Sequence, residues 1–302
     1  MNITERTILS TDNIHNLYIK IFMPEGEIKG IFQIVHGMTE HIDRYAPLME
    51  LLAQNGYVAF GHNHLGHKIS SEDNDLGYIA DKDGYKFLIN DVIKIGNAFE
   101  GEFSGLPHIL FGHSMGSFIV RMAVENEIFH PDKLIICGTG GPNPAAEIGI
   151  KLCDIIKCFK GERHISETVY FLAFGAYNKR FERDSEYNWL SVNRKNIEEY
   201  ENDKYCTFKF TVSAMKDLVT LNKLSNLNSW FKNFDKKLPT LIISGSNDPV
   251  GNFGKGVEAV FKKLKSNGCN VKLKLYKGYR HEILNDDCKE QVKNDILDFV
   301  KQ

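Results

Sequence analysis

The amino-acid sequence predicts a doubly wound α/β fold, in which helices cover both faces of a mostly parallel sheet. Two observations predict it. Short runs rich in β-branched and aromatic residues alternate with longer segments of helical periodicity. The short runs are almost continuously apolar, which is typical of strands buried on both faces. Parallel strands need crossover connections, so this regular alternation favours one α/β unit over separate helical and sheet domains.

The core elements follow one another along the chain. Strands are expected at 15–22, 30–35, 57–60, 108–111, 133–137, 239–243 and 271–276. Helices are expected at 45–54, 85–99, 116–126, 254–266 and 287–301. The strand–helix order therefore occupies the beginning and the end of the sequence.

The alternation is interrupted once, between 142 and 236. No strand is predicted there, and helical patterns dominate at 145–159, 166–180, 195–202 and 211–229. Such an insertion usually lies beside the carboxyl ends of the strands, where ligands bind, although it could also simply extend the core. We therefore divide the chain into a first core portion (1–141), a helical lid (142–236) and a second core portion (237–302).

Composition limits the partners and the location. The 302 residues include 37 Lys plus Arg and 39 Asp plus Glu, and this balance argues against nucleic-acid binding, which needs concentrated positive charge. The first residues do not resemble a secretory signal, and no apolar run approaches the ~20 residues that span a bilayer. Six scattered cysteines are expected to be reduced thiols, at 137, 153, 158, 206, 269 and 288. The sequence predicts a cytoplasmic protein.

The strongest local signal is a Gly-x-Ser-x-Gly pentapeptide at 112–116. It follows an expected strand and opens an expected helix, which is the strand–turn–helix setting that this motif needs. A serine at the sharp turn projects its hydroxyl at the top of the sheet, and flanking glycines remove Cβ atoms that would collide. The helix N-terminus directs N–H groups toward a developing oxyanion. Ser114 is therefore the candidate nucleophile.

A serine hydroxyl is a weak nucleophile without a base, so this hypothesis requires a histidine and a carboxylate on later loops. Asp248 follows the strand at 239–243, and His281 follows the strand at 271–276. Each loop taken alone has an ordinary explanation, as a turn or as a solvated histidine. The three residues together, in the chain order Ser114, Asp248, His281, indicate a catalytic triad.

The turn at His36-Gly37 supplies the next candidate feature. It follows the strand at 30–35, so the backbone N–H of Met38 can face the serine, with the N–H of Met115 as a second donor. Two such donors would form an oxyanion hole, and losing one typically costs about 2.7–4 kcal/mol of transition-state stabilisation. The alternative is that His36-Gly37 is only a tight turn.

These motifs together resemble a known family. His-Gly-x-x-Glu-His-x-x-Arg-Tyr at 36–45, Gly-His-Ser-Met-Gly at 112–116, Gly-x-x-Asp-Pro at 245–249 and Arg-His-Glu at 280–282 resemble the monoacylglycerol lipase and lysophospholipase group of α/β-hydrolases. The resemblance covers both core portions, whereas the lid matches loosely. It implies an eight-stranded, mostly parallel sheet and a serine esterase that acts on single-acyl lipid esters and needs no metal or organic cofactor.

The resemblance also implies roles for individual residues. Ser114, Asp248 and His281 would form the triad, and Met38 and Met115 would donate to the oxyanion. The polar pocket for the alcohol part of the ester would be lined by His36, Gly37, Glu40, Arg44 and His113. For Arg44 a structural ion pair with Glu40 or Asp43 is equally open.

The segment at 63–70 departs from the family pattern and supplies a rival hypothesis. Relatives usually carry Asp-His-x-Gly-His-Gly-x-Ser there, whereas this chain has Asn63 for the aspartate and Lys68 for the second glycine. His62, His64 and His67 approach the His-x-His-x-Asp-His pattern of zinc-dependent metallohydrolases. Polar loop histidines remain the favoured interpretation, because the aspartate of that pattern is missing.

The first helix of the lid has an apolar face, formed by Ile148, Leu152, Ile155, Ile156 and Phe159. Packing on the core is the first interpretation of this face, an acyl-chain pocket the second, and transient contact with a membrane surface the third.

Because these interpretations differ, the sequence leaves more than one class of substrate open. A monoacylglycerol or lysophospholipid is favoured, and the alternative is a small soluble ester or thioester. The sequence does not indicate an oligomeric state.

Overall fold

A computed structural model describes residues 1–71 and 75–302. Eight strands form one sheet: β1 (Asn2–Leu9), β2 (Asn16–Met23), β3 (Gly30–Val35), β4 (Tyr57–His62), β5 (His108–His113), β6 (Lys133–Cys137), β7 (Thr240–Gly245) and β8 (Val271–Tyr276). Their order across the sheet is β1-β2-β4-β3-β5-β6-β7-β8. The pairs β1–β2 and β2–β4 are antiparallel, and all later pairs are parallel. The expected α/β-hydrolase fold class is confirmed.

Strand β1 is an addition to the strands identified from the sequence. Nearly all of its residues are exposed, because it lies at the edge of the sheet and pairs only with β2. A strand that buries neither face has no apolar run or alternation to reveal it. The interior strands β3, β4, β5 and β7 are fully buried and match the predicted apolar runs.

Among the described residues, five α-helices belong to the core portions: α1 (Ala46–Gln54), α2 (Gly84–Glu102), α3 (Met115–Ala123), α9 (Lys255–Ser266) and α10 (Lys289–Lys301). Alternate strand residues face two separate hydrophobic clusters, one on each side of the sheet. On β5, for example, Leu110 belongs to one cluster, and Ile109 and Phe111 belong to the other. Helix α3 ends three residues earlier than predicted, since the chain turns at Glu125 and Asn126.

The lid segment (142–236) contains α4 (Ala146–Lys160), α5 (Glu167–Phe174), α6 (Arg194–Glu201), α7 (Val212–Ser225) and α8 (Asn228–Asn233). The single helix predicted at 211–229 is divided at Asn226. There the buried guanidinium of Arg121 donates to Ser225 O and Asn226 Oδ1 and lies over the Trp230 ring. The predicted helix at 166–180 ends at Phe174, and a short 3-10 turn follows at Tyr177–Arg180.

The apolar face predicted for α4 is only partly packed. Ile148, Ile155 and Phe159 are 72%, 57% and 83% exposed, so packing on the core is the wrong interpretation for these three. The buried residues of α4 are Ala146 and Cys153, because the helix contacts α7 and α5 with that side. Within the described residues, no helix combines the length and apolar content needed to cross a bilayer.

Candidate active site

Ser114 lies in a strained turn between β5 and α3. Its φ of +53° and ψ of −119° are unfavourable for a residue with a side chain, and such strain is typical of functional turns. A Cβ on Gly112 would lie 2.4 Å from Gly116 O, and one on Gly116 would lie 2.1 Å from Val35 O. Both glycines are therefore sterically required, and the turn presents the serine at the carboxyl end of β5.

Asp248 and His281 meet beyond the ends of β7 and β8. Both side chains are buried, and His281 Nδ1 donates to Asp248 Oδ2 at 2.9 Å. The carboxylate is also held by the N–H of Val250 at 2.8 Å and the hydroxyl of Ser244 at 3.2 Å. This arrangement fixes the imidazole tautomer and leaves Nε2 as the nitrogen able to accept a proton.

The His281 ring lies beside the nucleophile turn. Its centroid is 4.7 Å from that of His113, the residue preceding Ser114, and Trp189 of the lid segment packs at 5.2 Å from it. Within the described residues, Ser114 Oγ makes no hydrogen bond to His281. Such bonds are often long in unliganded hydrolases and shorten when substrate binds. Ser114 itself remains partly exposed, so its hydroxyl is accessible.

The loop after β3 packs directly on this turn. A Cβ on Gly37 would lie 2.9 Å from Ser114 Cβ. The N–H of Gly37 donates to Glu40 Oε1, and its carbonyl accepts from His36 Nδ1 at 2.7 Å. Among the described residues, the N–H groups of Met38 and Met115 have no hydrogen-bond partner. Met115 follows Ser114 and Met38 follows Gly37, so both free donors belong to segments that meet at the serine, as an oxyanion hole requires.

Glu40 is the buried centre of this loop. Besides the Gly37 N–H, its Oε1 accepts from Tyr45 at 2.8 Å and from His113 Nδ1 at 2.9 Å. Burial opposes ionisation, but His113 and Arg44 outweigh it and lower the pKa of Glu40 to about 2. Burial likewise opposes the charged form of His113, while Glu40 raises its pKa overall. Glu40 therefore connects the loop to the nucleophile turn as an ionised carboxylate.

The guanidinium of Arg44 forms hydrogen bonds with other side chains of the protein. Its Nη2 donates to Glu282 Oε2 at 2.6 Å and to Asn196 Oδ1 at 3.1 Å, whereas the Glu40 carboxylate is 4.0 Å away. Asp43, the other partner considered, pairs instead with lysines. These contacts favour a structural ion pair, with Glu282 as partner. The Arg-His-Glu motif contained that signal, but only the tertiary structure shows the pairing.

Four buried histidines lie behind the loop, namely His36, His62, His64 and His67. His36 Nε2 accepts from the His64 N–H at 3.0 Å, and His67 Nε2 accepts from the Thr39 N–H at 3.3 Å. Burial lowers the pKa of His62 to about 3 and that of His67 to about 4. The ring nitrogens of His36 and His67 are thus engaged in positioning backbone.

The zinc hypothesis does not fit this arrangement. In the described part of the chain, the cluster His62, His64 and His67 does not bring three ligand atoms together. His67 donates through Nδ1 to Leu65 O at 2.9 Å, and the His64 ring nitrogen Nε2 contacts His36 O at 3.2 Å. The donor set needed for metal-activated water is therefore not assembled there.

Residues 63 and 68, which depart from the family pattern, retain structural roles. Asn63 Oδ1 accepts from the Ile42 N–H at 2.9 Å, as a carboxylate oxygen would. Lys68 has a φ of +41°, in the left-handed region that favours glycine, and its ammonium group contacts Asp43 Oδ2 at 2.5 Å. Both side chains therefore bind the segment at 36–45.

Comparisons with known proteins identify the family of this chain. The family model "Serine aminopeptidase, S33" matches residues 26–288. Monoglyceride lipase of Mus musculus is 23% identical, and the match covers 94% of this chain and 85% of the mouse protein. The probable lysophospholipase L2 of Haemophilus influenzae is 24% identical, and the match covers 95% of this chain and 88% of the bacterial protein. A carboxyl esterase of Bacillus coagulans, solved in complex with glycerol, is 28% identical with a TM-score of 0.94 and covers 100% of this chain and 98% of its own.

The family match spans most of the chain and includes every loop described above. The chain therefore belongs to the serine aminopeptidase S33 family and is a serine hydrolase of the esterase class, in the monoacylglycerol lipase and lysophospholipase group of α/β-hydrolases.

Proposed function

We propose that this protein hydrolyses carboxylic esters through an acyl-enzyme formed on Ser114. The observation that carries the proposal is the contact between a strained, accessible serine and the loop after β3, where the N–H groups of Met38 and Met115 have no hydrogen-bond partner among the described residues. The Asp248–His281 pair at 2.9 Å supplies the base. In an α/β-hydrolase these are the parts that acyl transfer requires.

The reaction takes place in two steps. His281 Nε2 accepts the Ser114 proton while the serine oxygen attacks the ester carbonyl, and the carbonyl oxygen moves toward the N–H groups of Met38 and Met115. His281 then protonates the departing alcohol. In the second step His281 takes a proton from water, which attacks the acyl-enzyme and releases the acid. Asp248 holds the imidazole and stabilises its cation.

The substrate we propose is a monoacylglycerol or a lysophospholipid. The names of the mouse and Haemophilus relatives and the glycerol in the Bacillus esterase support it. In this reaction Glu40, His113, His36 and Gly37 act by positioning the loop after β3 (residues 36–41), which we call the oxyanion loop. A small soluble ester or thioester is the alternative. We propose a cytoplasmic location, which the six unpaired cysteines support.

The lid segment provides a surface suited to aggregated lipid. Phe159 on α4 and Phe171 on α5 are 83% and 72% exposed, and the exposed Lys151 and Lys160 lie on the same helix as Phe159. Aromatic groups beside cations favour an anionic lipid interface. We propose that this surface makes transient contact with lipid aggregates and brings the site to its substrate.

Two measurements test the catalytic proposal. Ser114→Ala should abolish hydrolysis of p-nitrophenyl butyrate and labelling by a fluorophosphonate while the protein stays folded, because the nucleophile alone is removed. Retained turnover in this variant would refute the mechanism. A p-nitrophenyl ester series from acetate to palmitate then tests the substrate, and a rate maximum at acetate would exclude the lipid assignment.

A further inference from the structure

A cluster of three possible metal ligands lies where the lid segment meets the oxyanion loop. His41 comes from the loop after β3, and Asp203 and Cys206 follow α6 in the lid segment. Their ligand atoms all lie within 4.8 Å of one another, and His41 Nε2 is 2.8 Å from Asp203 Oδ2. The mechanism uses none of them. One nitrogen, one oxygen and one sulfur ligand form a donor set that suits Zn²⁺.

Neighbouring groups already orient two of these ligands. Asp43 Oδ2 lies 3.3 Å from His41 Nδ1, which gives the carboxylate–histidine arrangement that commonly supports a metal-bound imidazole. The N–H of Tyr205 donates to Asp203 Oδ1 at 2.8 Å and leaves Oδ2 directed at His41. Two cations oppose the binding of a metal ion. Lys68 Nζ is 3.3 Å from His41 Nδ1 but is paired with Asp43, and Arg44 interacts with Cys206 but is paired with Glu282.

The cluster combines a protected thiol with an accessible side. His41 and Cys206 are buried, at 4% and 1% exposure. The Asp203 side chain is 32% exposed and borders an open surface depression together with Tyr205. An ion can therefore enter from solvent, and water can fill a fourth position. Burial raises the pKa of the Cys206 thiol, so binding must displace its proton.

We propose that His41, Asp203 and Cys206 bind one Zn²⁺ ion that ties the lid segment to the oxyanion loop. Nε2 of His41, a carboxylate oxygen of Asp203 and the thiolate of Cys206 coordinate the ion, and water completes the tetrahedron. The thiol proton passes to solvent on binding. The same junction already holds a hydrogen bond between Thr39 Oγ1 and Tyr200 at 2.8 Å. The role is structural and separate from the proposed ester hydrolysis.

Cadmium provides a direct test, because Cd²⁺ bound to a thiolate absorbs strongly in the ultraviolet. The titration uses the Cys158→Ser variant, which removes the single exposed cysteine of the six. One equivalent of Cd²⁺ should produce the thiolate band, Zn²⁺ should displace it, and Zn²⁺ should raise the melting temperature. Adding Cys206→Ser should abolish the band, and adding His41→Gln should weaken binding at least about 10-fold, the lower range seen for disturbed metal sites.

Absence of the band in the parent Cys158→Ser protein, or a band that persists after Cys206→Ser, would overturn the site. The first outcome is measured on a protein with both ligand-bearing segments intact, so it does not depend on the folding of ligand variants. Adding Ser114→Ala leaves the cluster untouched and should leave the titration unchanged. Failure of the metal site and failure of the proposed hydrolysis are therefore distinguishable.

Discussion

Replacing Gly37 by alanine tests the geometry of the oxyanion loop with a single methyl group. The added Cβ would lie 2.6 Å from Glu40 Oε1 and 2.9 Å from Ser114 Cβ. Ordinary contact begins near 3.4 Å, so the loop or its neighbours must move by several tenths of an ångström. Gly37 has no positive φ, and the backbone itself therefore tolerates alanine.

The movement caused by the Gly37→Ala methyl group displaces the neighbouring N–H of Met38. Moving Gly37 away from Ser114 moves the Met38 N–H, and losing one oxyanion donor costs about 2.7–4 kcal/mol, or about 10²–10³ in kcat. The Met115 N–H belongs to α3 and stays in place. We therefore expect kcat for p-nitrophenyl butyrate to fall by that factor with a nearly unchanged KM.

Gly26→Ala is the matched control, because no atom of the residues that the structure describes lies within 4 Å of its added Cβ. It should keep the kcat of the unmodified protein. Circular dichroism at the assay temperature verifies that Gly37→Ala is folded. A folded Gly37→Ala protein whose kcat stays within threefold of the parent would refute the assignment of the Met38 N–H to the oxyanion hole.

Three further changes test electrostatics and the lid surface. Burial lowers the pKa of His62 to about 3, so between pH 6 and pH 4 this residue gains a proton only in the unfolded chain and the folded protein loses stability. His62→Phe removes this contribution. Urea titrations should show that the variant loses about 2 kcal/mol less unfolding free energy over the same pH range. Burial raises the pKa of Asp217 from 3.8 to about 7, so stability falls as pH rises through this range. Asp217→Asn should therefore add up to about 4 kcal/mol at pH 8 and little near pH 4, and an equal effect at both pH values would contradict the assignment. Phe159→Ser should weaken sedimentation with anionic vesicles while sparing p-nitrophenyl butyrate hydrolysis. Ile14→Ser, at a comparably exposed position between β1 and β2, should change neither.

Local patterns were sufficient for the buried strands and for the position of the turn that carries Ser114. A strand such as β5 buries both faces and must be apolar throughout, so composition alone reveals it. The turn at Ser114 requires glycine two residues before and two residues after the serine, because a Cβ on Gly112 or Gly116 would meet backbone atoms. A steric requirement of this kind can be predicted from the local sequence, without knowledge of which distant residues are in contact.

Pairings between distant segments were not readable in this way. Arg44 has acidic neighbours in sequence, yet it pairs with Glu282, which the fold brings to it from the other core portion. The sequence also did not show which side of α4 is exposed to solvent. Ile148, Ile155 and Phe159 form an ordinary apolar stripe, and which side of that helix packs is decided by the position of α7.

The sequence by itself determined the layered α/β architecture, the nucleophile turn and the chain order of the triad candidates, because each depends on local sterics or periodicity. Only the tertiary structure decided what surrounds them: the contacts of Glu40 with Gly37 and His113, and the meeting of His41 with Cys206. These contacts depend on how separate segments pack. The sequence shows that a side chain is polar, but it does not show which distant residue forms its hydrogen bond.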